Sequence, residues 1–212
     1  MSTGARIYKV GLTGGLASGK TFVGEVLEQL GCHLIHADEL GHRALAPDGG
    51  AYAAAVAEFG NGILRDDGTI DRRRLGAIVF SDPGRLALLN SLVHPEVFRR
   101  EQELLQEIER ADPGAIAVVE AAIMIEGGSY KRYDKLIVAA CPREIQIARA
   151  MKRDQLSRED VEQRLARQMP LAEKIRFADF VIDTSGSKEE TRASVRPVYD
   201  ALRALANNGV AS

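Results

Sequence analysis

The sequence predicts a three-layer α/β fold, a parallel sheet flanked by helices, with a helical insertion and a lid. Three observations predict it. Short apolar runs alternate with segments of helical spacing in the first and last thirds of the chain. A glycine-rich turn joins the first apolar run to the first helical segment. The middle third lacks strand signals and is rich in Ala, Leu, Arg and Glu. Alternating strands and helices imply parallel strands with right-handed crossovers. Ligands in such sheets bind at the carboxyl ends of the strands.

The elements follow in order. Ile7 to Leu12 reads as a short buried strand, and Thr13 to Gly19 as a glycine-rich loop. Lys20 to Leu30 carries apolar residues at helical spacing and stops at Gly31. Cys32 to His36 is a second strand. Asp38 is placed to cap a helix to about Leu45, halted by Pro47-Asp48-Gly49-Gly50. Asp82-Pro83 reads as an N-cap followed by proline at the first helical position. Ala115 to Ala121 and Lys135 to Ala140 are strands, and Pro142 to Arg153 is a helix. Ser157 to Asp160 is a capping box whose helix ends near Met169-Pro170. Phe180 to Asp183 is the last strand. Ser187 to Glu190 caps a final helix that fades near Asn207 to Gly209, and the last few residues read as disordered. One domain is expected: core segments at about 5–48, 115–152 and 178–206, a helical insertion at about 51–110 and a lid at about 153–170.

Composition narrows the class. The chain has 212 residues, 45% hydrophobic and 27% charged, with net charge −2. That balance is ordinary for a soluble globular protein and argues against a nucleic-acid partner. No apolar run reaches membrane-span length, and Met1 to Lys9 holds no signal-like run. The expected location is the cytoplasm. Cys32 and Cys141 sit in apolar stretches without a CxxC pair, as buried thiols do. Oligomeric state is not set by the sequence, which is compatible with a monomer.

Gly14-Gly15-Leu16-Ala17-Ser18-Gly19-Lys20-Thr21 matches G-x-x-x-x-G-K-[ST], the P-loop pattern. The glycines let backbone N–H groups turn inward around phosphate oxygens. The loop feeds a helix N-terminus, which favours anions. Lys20 reaches the β- and γ-phosphates of ATP. Thr21 offers a hydroxyl to Mg²⁺, and the Phe22 N–H faces the α-phosphate. A chance glycine turn is the bland alternative. The strand directly before and the helix directly after favour a phosphate cradle.

A P-loop alone gives nucleotide binding. No Asn-Lys-x-Asp is present to read guanine. A small-molecule kinase needs a carboxylate near the acceptor hydroxyl, an acceptor lobe and arginines over the transferring group. Asp38, just past the second strand, is either such a carboxylate or a plain N-cap, or both. Arg149 and Arg153 share a helix face before the arginine-rich lid. They are either phosphate contacts or a solvated face. Glu120, ending the third strand, is either a holder of magnesium-bound water or a polar terminus. His36 reads as a polar strand end, with a place in the lining of the acceptor site as the alternative. Arg164 and Gln168 are weaker lid candidates, and Arg72 to Arg74 either pair within the insertion or meet acceptor phosphates.

Beyond the P-loop with Gly11-Leu12-Thr13, several stretches stand in one order. They are Ala37-Asp38, Asp67 to Arg73, Val79-Phe80, Leu92-Val93-His94-Pro95, Gln146 with Arg149 and Arg153-Asp154, Gln168-Met169-Pro170, Lys174, and Ala178 to Asp183. On these the chain resembles bacterial dephospho-CoA kinases over nearly its full length. The resemblance implies ATP-dependent phosphorylation of the ribose 3′-hydroxyl of dephospho-CoA, with Asp38 as base. Lys20, Arg149 and Arg153 would then neutralise developing charge. Two departures stand out. His36-Ala37-Asp38 replaces the family's usual Asp-Ala-Asp, and Ala122-Ile123-Met124-Ile125-Glu126 replaces Pro-Leu-Leu-Phe-Glu. The second keeps its apolar character, so only a modest change in backbone shape is expected, and Glu126 is either a functional glutamate or the start of a helix. His94-Pro95 reads as a structural bend, with acceptor contact as the alternative. Two other readings stay open: another small-molecule or nucleotide kinase, and a nucleotide-binding regulator without turnover.

Overall fold

The computed structural model describes residues 6–209; the expected disorder of the last few residues and the first position of the core range lie outside them. Five strands form one parallel sheet: β1 (Tyr8–Gly14), β2 (His33–His36), β3 (Ile116–Glu120), β4 (Lys135–Ala140) and β5 (Phe180–Asp183), in the order β2-β3-β1-β4-β5. All five residues of β3 are buried, as expected of a strand covered on both faces. The helices are α1 (Lys20–Gln29), α2 (Ala37–Ala44), α3 (Tyr52–Phe59), α4 (Arg72–Ser81), α5 (Pro83–Ala111), α6 (Arg143–Asp154), α7 (Arg158–Ala166), α8 (Leu171–Ile175) and α9 (Lys188–Gly209). Among the described residues, no helix is long and apolar enough to cross a membrane.

The chain divides into two compact units: residues up to His36 together with those from Leu105 onward, and Ala37–Leu104. In the first, Val10, Leu12, Ile116, Val118, Ile137 and Ala139 of the sheet pack with Val23, Val26 and Leu27 of α1 and Val195, Leu202 and Ala206 of α9. The spacing of the three α1 residues puts them on one helical face. Truncating one of the fully buried leucines to Ala would cost about 2–5 kcal/mol. A second cluster joins Ile147 and Ala150 of α6 to Val161 of α7, with Leu16 and Ala17 of the glycine loop against it. Both cysteines are buried and free, and burial pushes the Cys32 thiol up to about 12.

The second unit has its own small core of Ala55, Ile63, Ile70, Leu75 and Val79. It is helical apart from one antiparallel bridge, Leu64 with Ile70. Pro95 lies inside α5. It has no N–H for the carbonyl one turn earlier, so His94-Pro95 interrupts the helical bonding without ending the helix.

Local signals are met where caps are covalently near. The Asp82 carboxylate accepts from the Gly84 and Arg85 N–H groups, the Ser157 hydroxyl accepts from Asp160 N–H, and Ser187 and Glu190 cap each other reciprocally. Three expectations are corrected. β1 continues through Thr13 and Gly14, because both pair with β4, so the loop proper begins at Gly15. α2 starts at Ala37, so Asp38 is inside its first turn and is not its cap. The helix opened by Ser157 ends at Ala166, and a separate short helix, α8, follows Pro170.

Candidate functional site

The carboxyl end of β1 turns through residues 15–19 directly into α1. The turn requires glycine at its two ends. Gly19 has φ +85, a left-handed conformation that side chains resist. A Cβ on Gly14 would fall 2.2 Å from Ser18 Oγ and 2.6 Å from the Ala139 carbonyl oxygen. Ala17 also takes a positive φ of 53, although it is not glycine. Strain of that kind at a loop persists only where surrounding contacts enforce it. Here Ser18 N–H donates to the Gly15 carbonyl at 3.1 Å, and Thr184 Oγ1 donates to the Ser18 carbonyl at 2.5 Å. The opening of α1 thus presents Lys20, Thr21 and Phe22 at a helix N-terminus, where free N–H groups favour an anion.

One carboxylate organises the floor of this cradle. Glu120 ends β3 and is 5% exposed. Its Oε1 accepts from Thr21 Oγ1 at 2.7 Å and faces Lys20 Nζ at 3.6 Å. Its Oε2 meets His36 Nδ1 at 2.8 Å. The parallel ladder puts His36 directly opposite Glu120. A hydroxyl and a carboxylate this close are hard oxygen donors of the kind that suit Mg²⁺, which takes few protein ligands beside phosphates and water. The Thr21 and Glu120 side chains therefore fit that ion.

The other side of the loop is held by α6, α8 and the segment between α7 and α8. Arg149 Nη2 donates to the Thr184 carbonyl at 2.7 Å. Arg153 does not share that environment. It pairs with Asp154 through two contacts of 2.7 and 3.0 Å, and Arg164 approaches the same carboxylate at 3.4 Å. The Arg153 guanidinium holds the Asp154 carboxyl below its usual range. Gln168 reaches the loop directly, its Oε1 accepting from Leu16 N–H at 3.0 Å. A cavity of about 250 Å³ lies between Gly15, Gln146, Leu165, Gln168 and Pro170.

Lys174 was not among the sequence-derived site residues, yet it is fully buried. Its ammonium donates to the Ala122 carbonyl at 2.7 Å and the Gly14 carbonyl at 3.5 Å, and pairs with Glu126 at 2.9 Å. Glu126 also accepts from Met169 N–H at 3.0 Å and opens no helix. Buried cations need such partners. Thr184 is the other omission. Its signal was only its place, one residue beyond β5 at the carboxyl edge of the sheet.

In the second unit Asp38 is exposed near the start of α2. Arg72 meets His42, whose pKa is lowered by burial and by that guanidinium. Arg74 pairs with Asp71 and donates to the Leu64 carbonyl at 2.7 Å, so it is engaged within this unit. A hollow of about 520 Å³ is lined by Leu40, Arg43, Asp48, Glu96, Arg100 and Leu104.

The family model for dephospho-CoA kinase matches residues 8–190. A dephospho-CoA kinase of Geobacter metallireducens is 45% identical over 186 residues, 88% of this chain and 92% of that protein. Among solved structures, a protein from Thermus thermophilus superposes with a TM-score of 0.79 at 32% identity, covering 93% of this chain and 98% of the other. A dephospho-CoA kinase from Campylobacter jejuni gives 0.61 at 27% identity, covering 92% and 96%. This chain belongs to the dephospho-CoA kinase family.

Proposed function

We propose that this family member transfers the γ-phosphoryl group of ATP to the ribose 3′-hydroxyl of dephospho-CoA, giving CoA and ADP. The observation that carries the reading is the strand–loop–helix cradle with Lys20, Thr21 and Glu120 at its floor, in a chain that the family model covers from residue 8 to 190.

The backbone from Gly14 to Phe22 wraps the ATP phosphates, and the Lys20 ammonium counters charge on the β- and γ-phosphates. Thr21 and Glu120 would hold Mg²⁺, which when bound would supply positive charge that screens the phosphates. Asp38 orients the acceptor hydroxyl and takes its proton late in a loose transition state. Its support is its residue type and its position in the family's motif, two residues past β2. Arg149 stabilises the departing charge from α6, while Arg153 serves from the lid at 153–170 once freed from Asp154. The acceptor is held by the helical lobe, whose hollow carries Arg43 and Arg100 as groups for a diphosphate. Closing the lid keeps water from the γ-phosphate. The whole enzyme works in the cytoplasm.

The test is ATP consumption and product mass with Mg²⁺ and a panel of dephospho-CoA, nucleosides, nucleotides and shikimate-like alcohols. A product one phosphoryl group heavier, formed from dephospho-CoA alone, is expected. Transfer to another member of the panel would reassign the acceptor. ATP binding with no transfer to any member would make the chain a nucleotide-binding regulator.

A further inference from the structure

His36 stands where the family's usual pattern has aspartate, and the structure gives the replacement a role. The Glu120 side chain is 6% exposed, and its two oxygens have separate partners. Oε1 serves Thr21 at 2.7 Å and Lys20 at 3.6 Å, while Oε2 serves His36 at 2.8 Å. Adjacent strands fix the last contact, since His36 and Glu120 are ladder neighbours. A carboxylate accepts and does not donate, so the proton between them belongs to His36 Nδ1.

A carboxylate tied at one oxygen cannot turn freely about its terminal torsion, which is otherwise broad. Freed of His36, Glu120 could turn further toward Lys20, already 3.6 Å from Oε1. That is the ammonium the nucleotide phosphates require. We propose that His36 is a positioning residue for nucleotide binding: by holding Glu120 Oε2 it fixes the carboxylate with Oε1 on the Thr21 hydroxyl and 3.6 Å from the Lys20 ammonium, and keeps it from closing into a tighter pair with that ammonium. The inference rests on the nucleotide reading of the cradle and is independent of which acceptor is used.

The test is calorimetric titration of the full chain with ATP and Mg²⁺, without acceptor, for wild type, His36→Ala and His36→Asn. The Asn amide nitrogen can take the place of Nδ1. Losing a hydrogen bond to a charged group corresponds to roughly a tenfold change. His36→Ala is therefore expected to bind ATP about tenfold more weakly. His36→Asn should stay within about twofold of wild type. In turnover, His36→Ala should raise KM for ATP more than it lowers kcat. Thermal unfolding of each variant separates loss of folding from loss of binding. Wild-type affinity in His36→Ala, or a folded His36→Asn as weak as His36→Ala, would overturn the inference. Wild type that binds no ATP would overturn it together with the nucleotide reading. ATP binding without transfer to dephospho-CoA would reject only the acceptor, and the Ala and Asn affinities would still decide the role of His36.

Discussion

The glycine loop and the helical lobe offer different atoms to a ligand. In the loop the groups proposed to face a phosphate are backbone N–H groups and the first side chains of α1. Their spacing is covalent, and their conformation needs Gly14 and Gly19. In the lobe the polar groups are tips of long side chains on helices: Arg43 and Arg100 around a hollow, Arg72 on His42, Arg74 on Asp71. Such tips reach a ligand from many sequence positions. The first kind of site is compulsory in sequence; the second is not. Damage to the loop should therefore strike every reaction of the protein, and damage to the lobe only those that involve the acceptor.

The largest effect is expected from Lys20→Ala. Removing the ammonium from the phosphates should lower kcat/KM by about 10³-fold, with weaker ATP binding, in steady-state assays. Near-normal efficiency would mean that the loop is not the catalytic cradle. Asp38→Asn should lower kcat by roughly 10²-fold while ATP affinity measured by titration barely moves. A parallel loss of ATP affinity would move Asp38 from the acceptor to the nucleotide. Unaltered turnover would remove it from the mechanism.

Lys174→Met tests what the loop rests on. It keeps the volume but leaves Glu126 and two carbonyls without their buried cation. Unfolding in urea should show a loss of about 3 kcal/mol. A loss under about 1 kcal/mol would show that the clamp is not structural. Smaller still, Arg43→Ala should raise KM for dephospho-CoA by about tenfold with KM for ATP unchanged. An equal rise in both would break the division between loop and lobe.

The same difference explains what was readable in the sequence. The loop and the helix after it could be placed from residue order alone, and so could the strand before it apart from its last two residues, Thr13 and Gly14, because local backbone chemistry dictates all three. Asp82, Ser157 and Ser187 were readable for the same reason, since a cap and its N–H partners lie within three residues. Lys174 was not. Its partners Gly14 and Ala122 are 160 and 52 residues away in the chain, and only folding joins them. The start of α2 at Ala37 was missed because an aspartate after a strand reads as a cap, and no local signal separates a cap from a first-turn acid. Arg149 and Arg153, alike in spacing, part company only through Thr184 and Asp154.

The most direct measurement is where the new phosphate sits. Purified protein is incubated with Mg²⁺, ATP and dephospho-CoA, and the product is mapped by phosphorus–proton correlation NMR. The expected result is a single phosphomonoester on the ribose 3′ position, with ADP formed in equal amount. A phosphate elsewhere on the molecule, or ADP released with no phosphorylated acceptor, would contradict it.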